Sequence, residues 1–249
     1  MTLALALFGG SIVINNTLES AVQNTILVDI QPLFSPVLLM VILTSTYLAL
    51  AVSVSISKEN DKGTLEVLMY GPVNYRSYLF GAFAAFIISY IICVLIFTIW
   101  ANAAIWLSHI DFSFDIYFLL LLSVFTVGSM ISYGVFIAAL GGKTRMTIIY
   151  FILFIVIMVG IQIADYVIST LLLTTSATGI DEFSILRNFL ERISQFLVYF
   201  SPFSLFQLMM DDIVNRSIGN LAIHIVITIG QIGLLLLFSY ILFKKEGVH

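Results

Sequence analysis

The chain has 249 residues, 61% of them hydrophobic and only 10% charged, with a formal net charge of −4 and a mean hydropathy of +1.12. Soluble domains carry roughly 25% charged residues, so this composition excludes an ordinary soluble globule and indicates an all-α membrane protein with several spans. No basic face or run exists, which excludes nucleic acid as a partner, and the lone Cys93 can form neither an intramolecular disulfide nor a spaced-cysteine zinc site.

A helix needs about 20 apolar residues to cross the hydrocarbon core, and a charge at its centre costs about 2.5 to 3.5 kcal/mol on the insertion scale. Charge-free runs therefore mark spans. They predict six transmembrane helices, at about 3–14, 33–57, 78–107, 116–140, 146–168 and 221–243, forming one transmembrane domain over 1–249. The first is short and runs into Asn15, Asn16 and Thr17; no basic residue precedes it, unlike a cleavable signal peptide. Residues 19–31 read as an external segment. Pro36 falls in the first turn of the second span, where its missing N–H costs little.

Segments 58–77, 141–145 and 244–249 alternate with the others and so share a face. They hold seven basic residues: Lys58, Lys62, Arg76, Lys143, Arg145, Lys244 and Lys245; the opposite face has three, Arg187, Arg192 and Arg216. The positive-inside rule places the first group in the cytoplasm, and an even number of spans then places both termini there. The expected location is the plasma (inner) membrane of a prokaryote, as a multi-pass protein.

The stretch Lys58 to Ser77, KENDKGTLEVLMYGPVNYRS, is the charged island between two apolar runs. Its first part can form a short amphipathic helix with Leu65, Leu68 and Met69 on one face, ended by Gly71-Pro72. The pattern K-E-x-x-K-G-T-L-E-x-L-x-x-x-P-V-x-x-x-x-Y over Lys58 to Tyr78 resembles the signature of permease subunits of type-2 ATP-binding-cassette (ABC) exporters. In that family the stretch after the second span is a coupling helix docked in a groove of the nucleotide-binding subunit. The resemblance implies an ATPase-subunit contact made by Lys58, Glu59, Lys62, Gly63, Thr64, Leu65, Glu66, Pro72 and Arg76. It also implies two copies of a separate ABC ATPase, which hold the ATP and magnesium, and a second permease copy or homologous permease. This chain itself would have no cofactor. It departs from the family pattern in lacking a basic amphipathic helix ahead of the first run.

Between the fifth and sixth runs, Phe183, Leu186, Leu190, Ile193 and Leu197 recur at helical spacing, opposite Arg187, Asn188, Glu191, Arg192 and Gln195. Ser201-Pro202-Phe203 breaks this helix, and a second short one is expected over 205–214. A pair of outer helices dipping into the membrane is typical of the resembled family. Phe196, Pro202, Phe203, Met209 and Met210 are thereby candidates for an outer gate, though a plain surface cover reads equally well.

Gly142-Lys143-Thr144 imitates the end of a nucleotide-binding loop, but Ile137 stands where the first glycine must be, and a span rather than a strand precedes it. A basic surface turn is the better reading, so the chain is not an enzyme by itself. No carboxylate pair, catalytic triad or metal-ligand spacing stands out. Polar residues within spans are functional candidates by default: Gln162, Asp165, His224 and Gln231 are the candidates for a pathway. The simpler account of Asp165 is that it reaches the outer interface.

The leading functional expectation is one membrane half of an ATP-driven exporter. An ABC-type subunit that transmits force or signal to an external protein would use the same coupling stretch, and the acidic outer face would suit such docking. A secondary transporter or channel would show a midplane charge pair, and none is evident.

Overall fold

The computed structural model of the chain describes residues 34–64, 74–108, 114–178, 192 and 198–246. Along them run α1 (Phe34–Asp61), α2 (Tyr75–Ser108), α3 (Asp115–Gly141), α4 (Thr144–Thr178), α5 (Pro202–Val214) and α6 (Ile218–Glu246). No strand lies among the described residues. The expected first span at 3–14 and the segment at 19–31 lie outside the described residues, as does the amphipathic helix at 183–197 except for Arg192.

Among the described residues, four helices carry apolar stretches long enough to cross a membrane: Val37–Asp61 in α1, Tyr75–Trp100 in α2, Asp115–Gly141 in α3 and Ile218–Lys245 in α6. They match the spans expected at 33–57, 78–107, 116–140 and 221–243. The one expected at 146–168 lies within α4, a single helix over Thr144–Thr178. The protein is therefore a membrane-spanning helical bundle.

Two helix ends differ from expectation for local reasons. α1 continues one turn beyond 57, so Lys58–Asp61 extend the span's own helix instead of opening a separate surface helix. Lys58 in that last turn complements the carbonyl end of the helix. The stop comes at Gly63, whose φ of +67° lies in the left-handed region that favours glycine. Its N–H returns to the Asn60 carbonyl at 3.0 Å. α5 begins three residues before the expected 205. Ser201 is its N-cap, with Oγ accepting the Ser204 N–H at 3.4 Å, and Pro202 occupies its first turn. The Ser-Pro-Phe break is thus also a helix start.

α3 is the hub. Of its most apolar stretch 78% is buried within the bundle, against 11% for α2 and 22% for α6, and it packs against α1, α2, α4, α5 and α6. Lipid tails are as apolar as leucine, so helices associate through close packing and hydrogen bonds, which small residues permit. α3 supplies such residues: Ser123, Thr126, Ser129 and Ser132 are fully buried. At Gly134 a Cβ would sit 2.3 Å from the Ala49 carbonyl oxygen, so α1 and α3 approach backbone to backbone. The main core joins Val41 and Val52 of α1, Leu119, Val127 and Ile131 of α3, and Leu205, Phe206 and Met209 of α5.

Candidate functional site

The first candidate region is the basic end of the bundle, built from the end of α1, the start of α2, the α3–α4 turn and the end of α6. Three contacts tie α1 to the α3–α4 turn. Asn60 Nδ2 donates to the Gly142 carbonyl at 2.8 Å, the Thr144 N–H donates to Asp61 Oδ2 at 2.7 Å, and the buried Ser57 and Thr147 hydroxyls meet at 2.6 Å. The turn itself is as tight as a backbone allows. A Cβ on Gly141 would lie 2.8 Å from the Thr147 backbone, and Gly142 has φ of +61°. Across the other side, the Tyr78 hydroxyl of α2 donates to the Glu59 carboxylate. Thr64 Oγ1 donates back to the Glu59 carbonyl at 3.0 Å. The Arg76 guanidinium lies 4.7 Å from the centroid of the Tyr240 ring on α6.

The structure therefore brings together Lys58, Glu59, Lys62, Gly63, Thr64 and Arg76 with the basic turn at 143–145. Lys58, Lys62, Arg76, Lys143 and Arg145 are all exposed. Leu65, Glu66 and Pro72 lie outside the described residues. The resemblance of 142–144 to a nucleotide loop finds a structural answer. An anion at a helix N-terminus is stabilised by free N–H groups and the helix dipole, and at α4 the protein's own Asp61 carboxylate accepts the first of them.

The second region is a polar seam halfway along α3 and α6. Gln231 accepts from Ser129 Oγ at 2.7 Å and donates through Nε2 to the Tyr133 hydroxyl at 2.8 Å and to the Phe200 carbonyl at 2.9 Å. The Tyr133 hydroxyl donates to the same carbonyl at 3.1 Å. Irregular backbone at membrane depth is tolerated only where protein satisfies it, and this cluster satisfies the carbonyl just ahead of α5. α5 has 13 residues, about 20 Å at roughly 1.5 Å per residue. It starts level with Gln231 and runs antiparallel to α6, so it is a half-length helix whose N-terminus sits deep in the bundle.

The hairpin closes at its other end. Buried Asp212 and His224 meet at 2.6 Å between Oδ2 and Nδ1, and Ser217 Oγ donates to Asp212 Oδ1 at 2.8 Å. Thr228 Oγ1 donates to the His224 carbonyl at 2.8 Å, and the Tyr199 ring lies 6.0 Å from the imidazole. Next to this pair the Asp211 carboxyl is pushed above its ordinary value, first by burial and then by the Asp212 charge.

Among the candidate gate residues, Pro202, Phe203 and Met209 are buried and Met210 packs against the main core; Phe196 lies outside the described residues. His224 and Gln231, expected as pathway residues, are drawn into separate hydrogen-bonded clusters. The side chains of Gln162 and Asp165, both in α4, lie outside the description. Sequence reasoning missed Ser129, Tyr133 and the pairing role of Asp212. The one available signal was a carboxylate 12 residues before a histidine that opens an apolar run. No group of three or more metal-ligating side chains lies among the described residues.

Compared with known proteins, the chain matches the family model described as ABC-2 family transporter protein over residues 7–248. No curated protein matches it.

Proposed function

The chain belongs to the ABC-2 family of transporter proteins, and from that premise we propose that it is the membrane half of an ATP-driven exporter, worked by separate ATPase subunits through residues 58–77. Membership implies partnership with ABC ATPase subunits in general; the site, the direction of transport and the copy numbers are the proposal. The proposed contact comprises Lys58, Glu59, Lys62, Gly63, Thr64, Leu65, Glu66, Pro72 and Arg76. Arg76, at the far end of the same stretch, is stacked on α6. Two permeases and two ATPases form the working unit, and the basic end faces the cytoplasm of a prokaryotic cell.

One observation carries this reading. The start of the 58–77 stretch is bonded to the α3–α4 turn through Asn60 and Asp61, and to α2 through Glu59 and Tyr78. A displacement imposed there by an ATPase subunit reaches α1, α2, α3 and α4 together, which is what mechanical coupling requires. ATP and magnesium act in the partner subunit, and this chain does no covalent chemistry. At the other end we assign the closing of the outer mouth to α5, which is bounded by Ser201 and the 215–217 turn and buries Phe203 and Met209.

The test uses the permease reconstituted with its ATPase. The double variant Asn60→Ala/Asp61→Ala should still co-purify with the ATPase yet lose most of the permease-stimulated ATP hydrolysis, whereas Glu66→Lys should weaken docking itself. Stimulation unchanged in both variants would overturn the coupling assignment.

A further inference from the structure

A groove of about 520 Å³ lies along the outside of the bundle between α2 and α6. Arg76, Phe80 and Phe83 of α2 form one wall, and Ile229, Gly233 and Tyr240 of α6 the other. Apart from the Arg76 head and the Tyr240 hydroxyl, these walls are hydrocarbon. On α6 the groove runs from Tyr240 to Ile229, about 11 residues or roughly 16 Å at about 1.5 Å per residue. That is close to one half of the roughly 30 Å hydrocarbon core. A transmembrane helix from another subunit would need a track twice as long. An acyl chain of a single leaflet needs this one.

The polar end of the groove carries the second half of the case. Arg76 lies with its guanidinium over the Tyr240 ring. The ring holds the guanidinium at the polar end of the groove, and a guanidinium carries five N–H donors suited to a planar or tetrahedral anion. Arg76 is exposed and has no carboxylate within ion-pair distance among the described residues. Glu59 is engaged by Tyr78, in the same turn of α2 as Arg76. Lys244, Lys245 and Glu246 end the same α6, two cations against one acid beside Arg76. Arg76 is in the first turn of α2, at the level of a bilayer's headgroups. Basic pockets at that level between transmembrane helices suit anionic lipid heads.

We infer that the α2–α6 groove is a binding site for an anionic phospholipid of the leaflet at the basic end, its phosphate held on the Arg76 edge and one acyl chain lying between Phe83 and Gly233. The groove shares Arg76 with the 58–77 stretch but depends only on the chain spanning a membrane, and its test reads bound lipid and not ATP hydrolysis. It would stand or fall separately from the transport reading.

Gly233 provides a clean probe, because nothing lies within 4 Å of a Cβ placed on it. Gly233→Leu sends a side chain into the groove from a position whose Cβ meets nothing. The full-length chain is reconstituted in nanodiscs of equal dioleoylphosphatidylglycerol and dioleoylphosphatidylcholine, extracted in mild detergent, and its retained lipid quantified by mass spectrometry. Phosphatidylglycerol should be retained in preference to phosphatidylcholine. Arg76→Gln should lower its retention about tenfold, the loss expected for one charge-assisted hydrogen-bonding group, and erase the preference. Gly233→Leu should lower retention of either lipid, and glycerol 3-phosphate at equal concentration should displace neither. Equal retention of the two lipids, or retention unchanged in both variants, would overturn the assignment. Displacement by glycerol 3-phosphate would reduce the site to a phosphate contact without an acyl groove and overturn it equally. So would efficient disulfide cross-linking of Gly233→Cys between copies in native membranes, in a Cys93→Ser background, since the groove would then be a permease–permease contact.

Discussion

Replacing Gln231 with Leu should loosen α5 while leaving the bundle intact. Leucine nearly matches the volume but removes three hydrogen bonds, from Ser129, to Tyr133 and to the Phe200 carbonyl. Interhelical hydrogen bonds within membranes average about 0.6 kcal/mol each, with a maximum near 1.7. Three of them sum to about 2 kcal/mol. Two compensations set that as a ceiling. Tyr133 keeps its own bond to the Phe200 carbonyl, and the Ser129 hydroxyl can turn to a carbonyl of α3. A cost of about 2 kcal/mol is roughly a 30-fold change in an opening equilibrium. Because the lost bonds hold the residue before the N-cap of α5, the effect should be local. Amide hydrogen exchange in nanodiscs reads such local opening directly: amides of 204–214 should lose protection by up to about 30-fold, with those of α1 and α3 unchanged. Protection of α5 unchanged, or lost equally in α1 and α3, would refute the assignment of Gln231 as the clasp of this helix.

Two further outcomes follow from the packing and charge of the same bundle. Gly134→Ala places a methyl 2.3 Å from the Ala49 carbonyl oxygen and 2.7 Å from Val52 Cγ1. It should destabilise the α1–α3 contact by about 1–3 kcal/mol, visible as a lower midpoint in detergent unfolding; Gly160→Ala, with open space at its Cβ, is the control and should show no loss. Asp211 has its carboxyl raised by burial and by Asp212, so its charged form is disfavoured in the folded state. The fold is therefore penalised above the raised value, and the penalty fades as pH falls through it toward the unfolded 3.8. Asp211→Asn should be slightly more stable than the parent at neutral pH, and the difference should shrink on acidification; a difference constant with pH would show that the charge is not the cause.

Much of the membrane architecture was legible in the residue string, and for a local reason. Charge in the hydrocarbon core is costly, so the charge-free runs at 33–57, 78–107, 116–140 and 221–243 mark α1, α2, α3 and α6 without reference to any contact. Ser201-Pro202-Phe203 was legible as a break because proline acts on its near neighbours, whereas the stop at Gly63 was not, since the sequence reads as one amphipathic helix up to Gly71-Pro72. The charged island at 58–77 stood out through the same cost of charge, as did the grouping of its basic residues with the 141–145 turn.

Which faces meet was decided only by the tertiary structure. In water a helix shows its buried side by the contrast of apolar against polar positions, but in lipid both the core-facing and the lipid-facing sides are apolar, and that contrast vanishes. Nothing along the sequence therefore distinguishes α3, the buried hub, from α2, which is mostly exposed. The same applies to the bonded groups. Gln231 and Ser129 are 102 positions apart, Asn60 and Gly142 are 82, and Ser57 and Thr147 are 90. Gln231 stood out as polar within a span, but nothing in its own segment names its partners, and the same holds for the others. They become a clasp or a coupling joint only when close packing across glycine and serine positions brings the helices together.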